Sequence, residues 1–304
     1  MTDSTKSNLK TLVITGAASG FGLEFARLGA TRGYNIVLCD VEQVALDAAA
    51  AEIASTGVQV LALRVDVSKH EQVEALAAAT QARFGAPHWV FNNAGVGSGG
   101  LIWENSLKDW EWVMGVNVMG VVYGVKAFTP MMLARTKSEP DYRGCIVNTA
   151  SMAGMLSAPT MGVYNVSKHA VVTLSETLYQ DLKLVTDQVT AAVLCPYFVA
   201  TGIANSHRNR PADMKNDSGP TLSQLVAQAQ SSKAVSSGKI TPAMIADKVF
   251  HAIDAGQFYI FSHPHALGNV ATRMTDITEM RNPTDPFAER PQISVALKAK
   301  LRAG

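Results

Sequence analysis

Seven short runs dominated by apolar residues, at positions 10–15, 35–39, 58–65, 88–91, 145–149, 189–195 and 258–261, alternate with longer alanine-rich or amphipathic stretches such as 41–55 and 71–84. Short runs that are apolar at nearly every position are what strands covered on both faces require. Ser68-Lys69-His70-Glu71 has the spacing of a capping box, and Thr241-Pro242 supplies a cap followed by a first-turn proline, so both mark helix starts. Strands separated by helix-length segments predict an α/β fold, a doubly wound parallel sheet of about seven strands with helices on both faces.

By length alone 304 residues could form two domains, yet one continuous α/β sheet absorbs this much chain, and a single domain is expected. Residues 1–9 read as a polar tail. Residues 202–239, rich in Ser, Asn, Gln and Lys and without a strand pattern, read as a mobile flap with some helix. In the C-terminal extension, 262–304, the segments 266–280 and 293–302 read as helices that pack over the functional site or a neighbouring subunit. The segment 106–136 reads as one long helix, and Trp110, Met114, Met119 and Phe128 put large apolar groups on more than one of its faces. That pattern means burial on both sides or a subunit interface.

Composition narrows the function. An apolar fraction of 47% with 17% charged residues belongs to a folded protein with a sizeable core, and excludes disorder throughout. A net charge of +1 without a dense Lys/Arg run argues against nucleic acid or an anionic membrane as partner, leaving a small molecule. The polar N-terminus and the lack of a run of membrane-spanning length lead to the expectation of a soluble, cytoplasmic protein. The three cysteines, Cys39, Cys145 and Cys195, lie in or beside apolar runs and read as reduced core residues. His263-Pro264-His265 has no carboxylate or Cys partner at ligand spacing, so it reads as a surface or interface turn and no metal is expected.

Candidate chemistry begins after the first strand, in Thr15-Gly16-Ala17-Ala18-Ser19-Gly20-Phe21-Gly22. Gly16 permits a tight turn. Gly20 and Gly22 let backbone and helix approach a pyrophosphate, which the helix meets with unpaired amides and the positive end of its dipole. Asp40 ends the second apolar run, 20 positions after Gly20. A carboxylate there accepts hydrogen bonds from ribose hydroxyls and repels a 2′-phosphate, which selects NAD over NADP. It can equally cap the helix that follows, and the two roles are compatible.

Tyr164-Asn165-Val166-Ser167-Lys168 places a phenol and an ammonium one turn apart on a helix face. Alone, such a pair is a buried ring beside a solvated amine. Beside a dinucleotide loop it has a use, because alcohol oxidation needs a base for the hydroxyl proton and a free tyrosine titrates near pH 10. A neighbouring ammonium and the positive nicotinamide would stabilise the phenolate. Ser151, at the carboxyl edge of the strand at 145–149, could hold the substrate oxygen.

Taken in order, Thr15 to Gly22, Asp66-Val67, Asn92-Asn93-Ala94-Gly95, Asn117, Ser151 and Tyr164-x-x-x-Lys168 make the chain resemble the short-chain dehydrogenase/reductase family over about residues 10–261. The resemblance implies a Rossmann-type fold and a catalytic tetrad of Asn117, Ser151, Tyr164 and Lys168. It implies that Asp66 and Val67 hold the adenine, and that Asn93, Ala94 and Gly95 line the adenosine side. Asn117 would lie in a locally distorted helix whose freed carbonyl binds a water, and Lys168 would bond the nicotinamide ribose. Family members usually carry Pro-Gly after the sixth strand; here Tyr197 follows Pro196, and negative φ is expected at Tyr197. Val199 and Thr201 match positions that meet the nicotinamide carboxamide. Relatives form dimers and tetramers through the helix at 106–136 and the one bearing Tyr164, so a homotetramer is expected.

Substrate-lining candidates are 97–102, 152–157, Tyr197, Phe198 and the flap. Met152, Met155, Leu156 and Phe198 favour a hydrophobic, even aromatic, alcohol or ketone. The leading expectation is an NAD-dependent secondary-alcohol dehydrogenase; an NADP-linked carbonyl reductase and a catalytically idle dinucleotide-binding protein stand as alternatives.

Overall fold

A computed structural model describes residues 9–303, so most of the tail at 1–9 lies outside the described residues. Its seven strands are β1 (Thr11–Thr15), β2 (Asn35–Asp40), β3 (Val60–Arg64), β4 (Trp89–Asn92), β5 (Gly144–Thr149), β6 (Val189–Cys195) and β7 (Tyr259–Phe261). All pair in parallel, in the order β3-β2-β1-β4-β5-β6-β7. The chain reverses its direction of travel across the sheet between β1 and β4, and the crevice at such a reversal is where open α/β sheets bind ligands.

Among the described residues ten α-helices accompany the strands: α1 (Gly20–Thr31), α2 (Gln43–Ala54), α3 (His70–Phe84), α4 (Leu107–Met114), α5 (Gly120–Thr136), α6 (Gly162–Val185), α7 (Leu222–Ser236), α8 (Pro242–Asp254), α9 (Leu267–Thr278) and α10 (Pro291–Arg302). The alternation of side chains along a strand explains the two apolar layers. Leu12 and Ile14 of β1 face a cluster with Phe25 of α1, Leu46 of α2 and Phe250 of α8, whereas Val13 faces one with Leu76 of α3, Phe128 of α5 and Leu182 of α6. Phe91 of β4 sits between Phe25 and Phe250, with ring centroids 4.7 and 5.9 Å away. Both faces of the sheet are thus sealed.

Some local expectations need correction. Ser68 does not cap α3: its amide and hydroxyl both donate to Asp66 Oδ1, at 2.9 and 2.7 Å, forming a turn before Lys69, the capping position. A capping box is instead found at Ser106 and Asp109, opening α4, while Thr241 caps α8 with Pro242 in its first turn, as expected. The segment 106–136 is not one regular helix. Between α4 and α5 the turn Gly115–Met119 widens into a π turn, with Gly120 N–H donating to the Gly115 carbonyl. The run Leu107–Thr136 is long and apolar enough to cross a membrane by length and composition; in the fold it packs against α3, α6 and β4.

The segment at 202–239 is more ordered than a simple flap. It holds a 3-10 stretch over Gly202–Asn209, a second over Ala212–Met214, and α7, opened by a Thr221/Gln224 capping box. Helix α10 packs on α7, so the C-terminal extension braces this chain's own flap.

Candidate active site

The carboxyl ends of β1, β2, β4, β5 and β6 open into one cleft. Of the residues singled out in the sequence, Gly16, Ser19, Gly20, Phe21, Asp40, Asp66, Val67, Asn93, Ala94, Gly95, Ser151, Tyr164, Lys168, Pro196, Val199 and Thr201 all line it. Gly22 and Asn117 lie behind its wall.

After β1 the chain turns through Gly16 at φ +63°, where a Cβ would come within 2.8 Å of the Ala94 backbone. Gly22, inside the first turn of α1, packs against the carbonyl of Gly16 so closely that a Cβ would stand 2.8 Å from its carbonyl carbon and 2.9 Å from Ala17 Cα. Ser19 caps α1 by position without a side-chain bond. The first amides of α1 therefore receive nothing from their capping residue and remain available for an anion.

Asp40 lines the cleft but does not cap α2, whose capping position is Glu42. Its Oδ2 accepts from Ala18 N and its Oδ1 from Glu42 N, each at 3.0 Å, tying the glycine turn to the start of α2.

A hydrogen-bond chain runs from the glycine turn to the tetrad. Thr15 Oγ1 accepts from the amides of Asn93 and Ala94 at 2.9 and 3.0 Å, and Asn93 Nδ2 donates to the carbonyl of Thr15 at 3.0 Å. Thr149 Oγ1 donates to Asn93 Oδ1 at 3.3 Å, and the Thr149 carbonyl accepts from Lys168 Nζ at 2.9 Å. The bonds between neutral partners contribute about 1 kcal/mol each and the one from the Lys168 ammonium more, and their joint effect is to fix β1, β4, β5 and α6 relative to one another.

Ser151 begins a short 3-10 turn, its Oγ accepting from Ala153 N at 3.1 Å. Lys168 is buried, with Nζ 5.6 Å from the centre of the Tyr164 ring. Asn117 sits in the π turn, as the resemblance implied. Its side chain accepts from Val96 N at 2.8 Å and donates to the Val96 carbonyl at 2.9 Å and to Ser167 Oγ at 3.0 Å. Asn117 thus joins the turn after β4 to the helix carrying Tyr164 and Lys168.

Burial sets the electrostatics. It pushes the Tyr164 phenol up to about 12, with the Ser151 hydroxyl pulling the other way, and it lowers the Lys168 ammonium to about 8. Desolvation of the buried phenol and of the buried ammonium is the larger cause in both cases.

A stability prediction follows from Lys168. Below pH 8 the lysine is charged folded and unfolded, and the full burial penalty is present. Between pH 8 and 10.5 the folded form loses its proton first, so the stability of the parent protein rises with pH across that window. Lys168→Met should therefore raise stability by about 1–2 kcal/mol at pH 7, net of the lost bond to Thr149, with the gap narrowing toward pH 10. Denaturant midpoints at pH 7 and pH 9.5 measure this, and a variant less stable than the parent at pH 7 would refute it.

Two contacts escape sequence reasoning because their partners are far apart in the chain. Arg210 reaches Asp109 at 2.5 Å, with side chains only 12% and 3% exposed, and Asn216 donates to the same carboxylate at 3.1 Å. Burial alone would raise the Asp109 carboxyl, but Arg210, the Ser106 amide and Asn216 hold it below the usual range. This pair anchors the flap to α4. On the opposite side of the cleft Arg208 meets Glu42 at 2.7 Å, with side chains 40% and 33% exposed. Breaking a buried pair costs about 3–5 kcal/mol and an exposed one about 0–1 kcal/mol, so the flap is held firmly at Arg210 and loosely at Arg208.

Of the substrate-lining candidates, Met152 belongs to a core cluster with Val171 and Val193, and Met155 and Leu156 pack against that cluster. Phe198 packs against Tyr197 with ring centroids 4.3 Å apart and planes tilted by 41°. Tyr197 lines the cleft and, as expected, has negative φ. The apolar wall comes from the expected Tyr197 and the flap residues Ile203 and Val235, together with Val96, Trp112 and Val116, which were not among the candidates. His263 and His265 stack edge to face at 5.5 Å, and no group of three metal-binding side chains is found among the described residues.

Comparison with known proteins agrees with this geometry. The short chain dehydrogenase family profile matches residues 10–212. The chain is 34% identical over 258 residues to a CLA biosynthesis dehydrogenase/reductase of Lactiplantibacillus plantarum, covering 84% of this chain and 88% of the relative. It is 34% identical over 208 residues to a meso-2,3-butanediol dehydrogenase of Serratia marcescens, covering 68% and 78%. Among solved structures, a short-chain dehydrogenase/reductase from Burkholderia phymatum in complex with NAD superposes with a TM-score of 0.89 at 50% identity, covering 91% of this chain and 97% of that one.

Proposed function

This chain belongs to the short-chain dehydrogenase family and is an oxidoreductase of that family, and from that premise we propose that it interconverts a secondary alcohol and a ketone on a hydrophobic small molecule with NAD as its cofactor. The observation that carries the reading is the single cleft in which Asp40 and Asp66 stand at one end and Ser151, Tyr164 and Lys168 at the other.

The residues fit a dinucleotide. A Cβ at Gly16 would collide with the Ala94 backbone and one at Gly22 with the Gly16 carbonyl, so the tight turn that presents the cradle needs both glycines, and the amides opening α1 lack a capping side chain. Gly16, Ser19, Gly20 and Phe21 would hold the pyrophosphate, Asp40 the adenosine ribose, Asp66 and Val67 the adenine, and Val199 and Thr201 the carboxamide. NAD, when bound, supplies the hydride acceptor and a positive charge. Tyr164 takes the hydroxyl proton of the alcohol, or returns it in the reverse direction. Ser151 holds the same oxygen against the phenol, and Lys168 passes the proton onward.

The apolar wall of Trp112, Val116, Ile203 and Tyr197 supports a substrate without many hydroxyls. Self-association as a homotetramer through α5 and α6 belongs to the same reading, supported by the apolar Val166, Leu184 and Val185 exposed on α6. The test is a panel of hydrophobic secondary alcohols with NAD and with NADP, followed at the nicotinamide absorbance band. Turnover with NAD preferred is expected; a large preference for NADP would overturn the role given to Asp40, and silence with both cofactors would favour a catalytically idle nucleotide-binding protein.

A further inference from the structure

Only two basic side chains, Lys168 and Arg208, are among the residues lining the cleft. Lys168 serves the catalytic end. Arg208, carried by the flap, is the basic side chain that lines the cleft at the Asp40 end, whereas Arg64, beside Asp40 across the β2–β3 pair, donates to the Val41 carbonyl at 3.0 Å and does not line it; a cation in the cleft there is what a 2′-phosphate would seek. Arg208 is already engaged. Its Nη2 donates to Glu42 Oε1 at 2.7 Å, and its Nη1 donates to the carbonyls of Asn205 at 2.9 Å and Gly202 at 3.2 Å. Asn209 Nδ2 donates to the same Glu42 oxygen at 2.9 Å. Glu42 is itself fixed relative to Asp40, since its amide donates to Asp40 Oδ1 at 3.0 Å.

We propose that Glu42 is a second cofactor-selecting residue, which neutralises the flap cation Arg208 and so denies it to a 2′-phosphate while drawing the flap across the adenosine end of the cleft. This deepens the NAD reading above and rests on it. Asp40 acts by repulsion, whereas Glu42 acts by occupying the cleft-lining cation that would offset that repulsion. The same contact gives the flap a releasable side, because the pair is half-exposed while the flap's other attachment, Asp109 with Arg210, is buried. A dinucleotide can then enter at Arg208 while the anchor stays in place.

Glu42→Gln separates the two effects, because it keeps a bonding partner for Asn209 and removes the charge. Dissociation constants of NADH and NADPH, read by nicotinamide fluorescence, require no knowledge of the substrate. In Glu42→Gln the preference for NADH over NADPH should fall by about tenfold, NADPH binding tighter and NADH a few-fold weaker, and the double variant Glu42→Gln/Arg208→Gln should recover most of the lost preference. A ratio unmoved by Glu42→Gln, with parental NADH binding intact, overturns this proposal alone. A ratio that falls equally with and without Arg208 overturns it too, since Glu42 would then act by simple repulsion. Failure of the parent protein to bind NADH overturns the NAD reading and this proposal with it.

Discussion

Replacing Tyr164 by phenylalanine should lower alcohol oxidation by about a thousandfold or more while leaving the NADH dissociation constant within about threefold. The substitution removes one oxygen and keeps the ring, so the packing of α6 is preserved and only proton transfer is lost. General acid–base catalysis by a positioned side chain contributes about 100- to 10,000-fold, and here no second base stands ready. Among the residues lining the cleft the other titratable groups are Asp40, Glu42 and Asp66 at the far end, the basic side chains of Lys168 and Arg208, and Tyr197, whose phenol is pushed up by burial. Because burial pushes the phenol up to about 12, oxidation by the parent protein should also rise with pH over the neutral to alkaline range. Steady-state rates and fluorescence titration of NADH check both halves, and a variant that retains its turnover would remove Tyr164 from the mechanism.

Gly22→Ala should weaken NADH binding by about a hundredfold and lower stability by about 1–3 kcal/mol. The added methyl would meet only backbone, the carbonyl of Gly16 and Cα of Ala17, and backbone cannot rotate aside as the end of a side chain can. The glycine turn must therefore move, and with it the bond between Asp40 and the Ala18 amide. Gly268→Ala, in α9, is the control: nothing lies within 4 Å of its Cβ position, and an alanine in a helix is favoured by about 1 kcal/mol over glycine. Equal losses in the two variants, measured by thermal melting and NADH titration, would show that the effect is not local to the turn.

How much of this could be read in advance depended on the range over which each contact acts. The sheet was legible because strands sealed on both faces must be apolar at nearly every position, and all seven observed strands overlap the runs expected. The expected 58–65 run shrinks to β3, an edge strand whose residues are only partly buried, so hydrophobicity there does not mark the strand ends. The capping box at Ser68 failed because Asp66, two residues earlier, competes for the same hydroxyl and amide. The Tyr164–Lys168 pair and the glycine turn were legible through local spacing, whereas Asn117 entered only through the family resemblance. The Arg210–Asp109 and Arg208–Glu42 contacts were not, because their partners stand 101 and 166 residues apart and neither pair leaves a periodic trace. Met152 misled for a related reason: proximity to Ser151 in the chain does not say which side of the strand end a side chain takes, and it turned into the core.

The three cysteines, buried in β2, β5 and β6, are well away from the surface, and burial raises every thiol well above its ordinary value, Cys145 and Cys195 to about 12. Alkylating reagents attack thiolate, so the folded protein should be almost inert to iodoacetamide at neutral pH. Labelling then becomes a clock for global opening. Cys39 lies to one side of β1 and the other two beyond β4, so the order in which they are modified would tell which half of the sheet comes apart first.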